Sequence, residues 1–393
     1  MRFTNVILLL FALSSCGAPG GEAVRGVFSY ETRIVDLGEE LGQYPSIAFD
    51  SKGRPSMSYY DGNDGSLKFA ELVKTEWVIT TVDKGMSPDT GGVGAFSSLA
   101  IDPSGSPHIS YMDRSRGQLK YAYRIGTEWK VKTLDQGPFV GSWTSLALDR
   151  NGAAHISYCF VRTDTSNPAN VVEAYPKYIM YDNRSTAIPE VIDPGLAGAY
   201  LLGDTNSLVL TTSLVLNSDD TPQVAYHDPV NRSLNIARRL TGGGWAVTII
   251  DSAQNKTVGQ FNSLAIDGEG RLHVSYTEAY PSVLKYAAWD GTAWRIETVD
   301  AVKGEQKGVG NSLTLGPDSS PIISYIDSTW NDLKLAFFRY GRWQVFRLDS
   351  GGLESAHPSI ARFPLGITGV VYNQRSDGSN PPRSTLKLSL VEY

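Results

Sequence analysis

The chain has 393 residues, a formal net charge of −6, 41% hydrophobic and 10% aromatic residues, with 39 glycines and 20 prolines. No cluster of lysine and arginine interrupts the acidic balance, which argues against nucleic acid as a partner, and two cysteines are too few for a disulfide framework. Apolar residues come in short runs or alternate, with no helical period over any length, so the expected elements are strands divided by turns.

In chain order, residues 1–15 read as a signal peptide: Arg2 supplies a positive charge, and Val6 to Leu13 is an apolar run too short to span a membrane. Leu13-Ser14-Ser15-Cys16 resembles the lipobox of bacterial lipoproteins, and the resemblance implies cleavage before Cys16 and its lipidation. Gly17 in the next position is similar to the outer-membrane default of Gram-negative species. The other reading is an ordinary secretory signal with a cysteine near its cleavage site. Residues 16–29 then form a lipidated cysteine and a flexible tether, GAPGGEAVRGVFS after Cys16. The expected location is the cell envelope, on an outer-membrane anchor facing the periplasm or the surface. With Cys16 lipidated, Cys159 has no disulfide partner, and beside Tyr158 in a strand it reads as a small buried hydrophobe rather than a reactive thiol.

Residues 30–393 are built from one repeated unit, clearest in Ser98 to Asp135: the runs SLAID, HISYMD, LKYAYR and WKVKTLD, separated by the turns PSGS, RSRG and GT. Serine opens strand a at Ser46, Ser98, Ser145, Ser213, Ser263, Ser312 and Ser359, and each is followed at constant spacing by a strand b tyrosine: Tyr59, Tyr111, Tyr158, Tyr226, Tyr276, Tyr325 and Tyr372. Strand c carries Lys68, Lys120, Lys177, Lys285, Lys334 and Lys387, with Asn235 in the remaining copy. Strand d runs from an aromatic to an aspartate, as in Trp77 to Asp83 and Trp343 to Asp349; the third copy keeps Asp193 but has Ala187 in place of the tryptophan. The last copy stops after strand c, and Tyr30 to Asp36, YETRIVD, is a strand d without a unit of its own. Four-stranded units of roughly 40 to 50 residues signal radial repetition. The expected fold is all-β, a seven-bladed β-propeller of four-stranded antiparallel blades, closed by the N-terminal strand completing the last blade.

The D-x-x-G hairpins after strand a, the Ser-Tyr pair in strand b and the tryptophan opening strand d resemble the BNR-type, sialidase-superfamily-like repeats of secreted bacterial propeller proteins. The resemblance covers residues 30–393 and implies the propeller architecture.

Loop lengths separate the two faces of the disc. The a–b hairpins are constant, whereas the b–c loops lengthen in blades three and seven and the d–a loops lengthen into blades two and four. In a meander the b–c and d–a loops emerge on one face, which is therefore the expected working face. Two residues before each strand a serine, beside the pore, stand Tyr44, Phe96, Trp143, Thr211, Phe261, Gly310 and His357. Aromatic rings there can stack on a sugar or anchor a partner, or they can plug the pore as an apolar cluster. Trp143, beside the blade-three insertion, is expected to contribute most to binding. Two residues after each strand b tyrosine stand Asp61, Asp113, Phe160, Asp228, Glu278, Asp327 and Gln374. The five acids can bind cations or hydroxyl groups, or cap their own turns.

No GxSxG, HExxH or glycine-rich phosphate loop occurs. His108, His155 and His273 share one position on separate blades near the constant face, so no metal or cofactor is expected. The function expected is a membrane-anchored, monomeric binding module for a glycan or protein ligand. Two alternatives stand beside it: a periplasmic scaffold resembling the propeller lipoprotein of outer-membrane protein assembly, and a glycoside hydrolase or lyase using a pore-mouth acid pair.

Overall fold

The computed structural model describes residues 29–85, 91–163, 166, 171–184, 187–196, 210–279, 281–353, 357–375 and 383–392. The signal segment, Cys16 and parts of the long b–c and d–a loops lie outside the described residues. Twenty-eight strands, β1–β28, form seven four-stranded antiparallel sheets, and no helix occurs among the described residues. The innermost strands are β2 (Leu41–Phe49), β6 (Val93–Ile101), β10 (Val140–Leu148), β14 (Thr212–Leu216), β18 (Thr257–Ile266), β22 (Lys307–Leu315) and β26 (Ser359–Arg362). Each touches the next, and β26 touches β2, so the ring is closed. The seventh sheet has the order β1-β28-β27-β26: β1 (Ser29–Glu39) pairs with β28 (Arg383–Glu392), which pairs with β27 (Thr368–Arg375). The N-terminal strand thus completes the last blade, as its orphan sequence implied.

Three features shared by the blades hold the ring. The strand a serine hydroxyls form a belt around the pore, each accepting the backbone N–H of the neighbouring blade. Leu99 N lies 3.0 Å from Ser46 Oγ, Leu146 N 3.1 Å from Ser98 Oγ, and Leu214 N 2.9 Å from Ser145 Oγ. Leu264, Leu313, Ile360 and Ile47 do the same to Ser213, Ser263, Ser312 and Ser359, so the belt runs the whole way round. A second belt joins strand b of one blade to strand d of the preceding one. Every strand b tyrosine is wholly buried, and its hydroxyl donates to that aspartate, from Tyr59 to Asp36 Oδ2 at 2.5 Å round to Tyr372 and Asp349 Oδ2 at 2.8 Å. Burial and the adjacent carboxylate push these phenols far above their ordinary pKa. The strand c lysines Lys120, Lys177, Lys285 and Lys387 reach the same carboxylates.

The aspartates therefore do two things. Oδ1 caps the loop that follows strand d, as from Gln136 N to Asp135 at 2.9 Å and from Ser350 N to Asp349 at 2.8 Å, while Oδ2 serves the next blade. Strand d tryptophans pack edge-on against strand c aromatics of the preceding blade, Trp129 on Phe69 and Trp245 on Tyr178. Blade three, with Ala187 in place of that tryptophan, has a strand d of two residues, β13 (Glu190–Val191).

His108, His155 and His273 are each engaged inside their own blades, Nδ1 by a strand c tyrosine hydroxyl and Nε2 facing a turn aspartate, although His155 Nε2, 3.7 Å from Asp149, makes no hydrogen bond. Cys159 is fully buried with its Sγ on the Leu210 carbonyl, and burial pushes its thiol far up, out of reach of thiolate chemistry.

Candidate functional site

The pore-facing aromatics lie inside strand a rather than at its entrance. Strand a begins about five residues before the serine, as in β6 from Val93, and pairing slips at a bulge between Ala95 and Ser98. The same slip recurs between Gln43 and Ser46, Ser142 and Ser145, Gln260 and Ser263, and Val309 and Ser312. The residue at the bulge has a left-handed backbone: φ is 51° at Tyr44, 55° at Phe96, 50° at Trp143, 51° at Phe261 and 59° at Gly310. This conformation suits glycine, yet four large aromatics adopt it, a local strain of order 1–3 kcal/mol each. The surroundings hold it in place: hydroxyls of Ser97, Thr144 and Thr212 on the next blade donate to the carbonyls of Tyr44, Phe96 and Trp143 at 3.0, 2.9 and 2.9 Å.

The bulge turns the rings toward one another across the pore. Centroids are 4.4 Å apart for Tyr44 and Phe96, 5.0 Å for Phe96 and Trp143, 6.0 Å for Trp143 and Phe261, 6.1 Å for Phe261 and His357, and 5.6 Å for His357 and Tyr44. Trp143 meets His357 across the middle at 5.2 Å. Five rings therefore form a closed circuit over a cavity of about 180 Å³ whose wall continues to the serine belt. Thr211 and Gly310, the two small members, leave the remaining gaps. All five rings are half-buried, so the circuit closes the pore and still offers ring surface to a ligand.

His357 sits in this circuit with its Nδ1 buried and without a hydrogen-bond partner, and burial holds its pKa down at about 4. The unfolded chain binds a proton near pH 6.5, the folded one only near 4, so this residue's contribution is complete above pH 6.5 and lost as pH falls toward 4. His357→Phe is expected to flatten the fall in melting temperature between pH 6.5 and 4; an unaltered profile would place the acid sensitivity elsewhere.

The five acids stand at the rim, already engaged. Asp113 takes Arg116 N and Nη1 at 3.1 Å; Asp228 takes Val230 N and Asn231 N at 2.8 Å. Glu278 meets Lys256 and Lys285, and Asp327 meets Lys307 and Lys334. Burial opposes ionisation of Glu278 and Asp327, but hydrogen bonds from their lysines prevail and hold both below the usual carboxylate range. Asp61 caps its turn through Asn63 N at 3.0 Å, with Lys68 at 3.6 Å, and burial raises its pKa. Gln374 donates to the Ser350 and Gly351 carbonyls, and Phe160 stacks on Tyr175 at 4.7 Å. The blade-three insertion prolongs the b–c hairpin, β11 (Ala154–Thr163) with β12 (Val171–Tyr181), and Arg162 faces Glu173 at 2.8 Å along it.

Arg114 completes the site and was not singled out by the repeat. Its Nη2 donates to Tyr44 Oη at 2.5 Å, and its guanidinium lies 5.1 Å from the Tyr44 ring and 5.2 Å from Phe96. No carboxylate pairs with it among the described residues. The sequence signal was the position after the strand b rim residue, occupied by Gly62, Val161, Pro229, Ala279 and Ser328 in five blades but by Arg114 and Arg375 in two.

The fold and the ringed pore define a seven-bladed β-propeller with an aromatic-closed channel and one variable face. In sequence the chain matches no family model and no curated protein. Among solved structures it is similar to a protein of unknown function from Dyadobacter fermentans DSM 18053, with TM-score 0.53, 12% identity, and 92% of this chain and 99% of that one covered. It is also similar to the polysaccharide lyase Uly1, with TM-score 0.52, 10% identity, and coverage of 88% and 89%. A third is the GH93 α-L-arabinofuranosidase of Fusarium graminearum in complex with arabinobiose, with TM-score 0.50, 9% identity, and coverage of 90% and 93%. At such identities the likeness is one of fold.

Proposed function

We propose that this chain is an envelope-anchored binding module, tethered through a lipidated Cys16, whose variable face takes an acidic glycan at the pore mouth. Arg114 is the observation that carries the reading: a guanidinium resting on two aromatic rings and without a carboxylate partner among the described residues. A planar cation so placed matches a carboxylate or sulfate bidentately, and the exposed ring surface of Tyr44, Phe96 and Trp143 suits the apolar face of a sugar. The acids Asp61, Asp113, Asp228, Glu278 and Asp327 contribute by holding the turns and lysines around that mouth. A catalytic pair would need carboxyl groups with fewer prior commitments.

The test is a glycan array probed with the protein starting at Gly17, comparing uronic-acid and sulfated oligosaccharides with neutral ones. Acidic glycans should be retained, and Arg114→Gln should lower their affinity about tenfold or more, the loss of a charge-assisted pair, without a change in melting temperature. Equal binding by Arg114→Gln, or preference for neutral glycans, would sink the assignment; capture of an envelope protein with no glycan bound would favour the scaffold reading. Trp143→Ala is the less clean probe, since Trp143 also packs on Phe96, Phe261 and His357.

A further inference from the structure

The chain enters the propeller on the face opposite the pore mouth. Ser29 pairs with Glu392 and Tyr30 with Val391; Val391 pairs with Thr368, and Thr368 with Arg362. The first described residue of β1 therefore lies at the same edge of blade seven as the a–b turn between Arg362 and Thr368, three strands away, roughly 14 Å at the usual strand spacing.

That turn departs from the repeat. Where blade seven has Phe363, the other blades have Asp50, Asp102, Asp149, Asn217, Asp267 and Gly316. In blade one Asp50 Oδ1 accepts Lys52 N and Arg54 N at 2.9 Å, and Asp267 does the same for Glu269 N at 2.9 Å and Arg271 N at 2.8 Å. Blade seven keeps the backbone hairpin, Phe363 N to Ile367 O at 2.8 Å and Gly366 N to Phe363 O at 3.0 Å, but has no carboxylate to cap it. In exchange it presents Phe363-Pro364-Leu365, with Leu365 84% exposed. Giving up a turn cap for an exposed leucine brings nothing to the folded domain in water. The c–d turns of the two adjacent blades add Tyr340, 83% exposed with Arg339 over its ring at 5.3 Å, and exposed Val73, and the same face carries exposed Ile125 in blade two and Leu240 in blade four.

We infer that this face rests on the lipid bilayer, with Leu365 inserted at the interface and Tyr340 and the exposed arginines Arg339 and Arg342 at headgroup level. Leucine gains by leaving water, tyrosine favours the interface, and arginine can bury its stem while its guanidinium stays among the headgroups. The inference rests on the anchor reading of Cys16. From Cys16 to Ser29 the chain can reach at most roughly 45 Å, enough to seat this face and leave the pore mouth pointing away from the membrane. The lipid holds the chain at the membrane, and the protein contact sets which face is turned toward it.

The test uses the mature lipoprotein with Leu365→Cys, labelled with an environment-sensitive fluorophore and added to vesicles of phosphatidylethanolamine and phosphatidylglycerol. Cys159 is fully buried, so labelling is confined to the new thiol. Trp330→Cys, on a b–c turn of the opposite face and 64% exposed in the native chain, is the control. The expected result is a blue shift and quenching by brominated lipid at position 365, with neither at 330. Failure of the wild-type lipoprotein to sediment with vesicles overturns both the anchor and this face. Sedimentation without a shift at 365, or with a shift at 330, overturns the face alone, and a shift at 365 that needs an envelope protein fraction assigns the turn to a protein partner instead.

Discussion

A chain beginning at Leu41 is expected to lose at least about 10 °C in melting temperature relative to one beginning at Ser29, which should melt like the full mature protein. Strand β1 supplies ten ladder partners to β28 and places Val35 in the core cluster with Leu386, Leu388, Ile47, Met57 and Tyr59. Its loss bares the edge of β28 and leaves the buried Tyr59 hydroxyl without Asp36, its acceptor at 2.5 Å. Exposed apolar area and an orphaned phenol together amount to about 5 kcal/mol or more, a large share of the stability of an ordinary domain. A large domain loses about 2–4 °C per kcal/mol, which sets the expected shift. Calorimetry of the two truncations checks it, and a peptide of residues 29–40 added in trans should restore part of the difference by rejoining the sheet. Equal melting of the two chains would mean that the seventh blade does not depend on its fourth strand.

The second large effect concerns the belt between blades. Asp135 accepts from the Tyr158 hydroxyl at 2.6 Å and pairs with Lys177, and all three side chains are largely shielded from water. Asp135→Ala should cost about 3–5 kcal/mol, because it strands a lysine charge as well as a phenol. Tyr158→Phe, which removes only the phenol hydrogen bond, should cost about 1–3 kcal/mol. Urea unfolding with an unchanged slope measures both. If the stranded charge dominates, adding Lys177→Met to Asp135→Leu should recover much of the loss relative to Asp135→Ala. Equal destabilisation by Asp135→Ala and Tyr158→Phe would show that Lys177 plays no part.

The repeat was legible because serine and tyrosine keep one spacing in every copy, with the strand d aspartate recurring after them, and because Tyr30 to Asp36 stood outside any complete unit. What those landmarks do was not legible, since their partners belong to another copy. The hydroxyl of Ser46 serves Leu99 and that of Tyr158 serves Asp135, contacts invisible inside one unit. The pore aromatics were found, but read as loop residues at the entrance of strand a. The bulge breaks the alternation by which a strand is recognised, so Tyr44, Phe96, Trp143 and Phe261 fall out of phase with the strand that carries them. Arg114 has no landmark of the repeat at its position, and nothing within its own blade marks it as a pore residue. Only the fold brings blade two's b–c turn over the ring of blade one's Tyr44.

The pairing of β1 with β28 also orders events in time. Thr32 and Ser389, 2.8 Å apart in the finished sheet, stand 357 positions apart in the chain, and bringing two such distant segments together costs about 5 kcal/mol of chain entropy. A chain made from its N-terminus produces β1 first and must keep it unmatched until the last ten described residues exist. Blades one to six can assemble on their neighbours as they appear, whereas blade seven cannot be completed until β28 has been made. Among the described strands, the pairing of β1 with β28 is therefore the last to become possible. Until it happens, two bare strand edges face each other across a gap, and in that interval the chain is most open to proteases and to pairing with a second copy of itself.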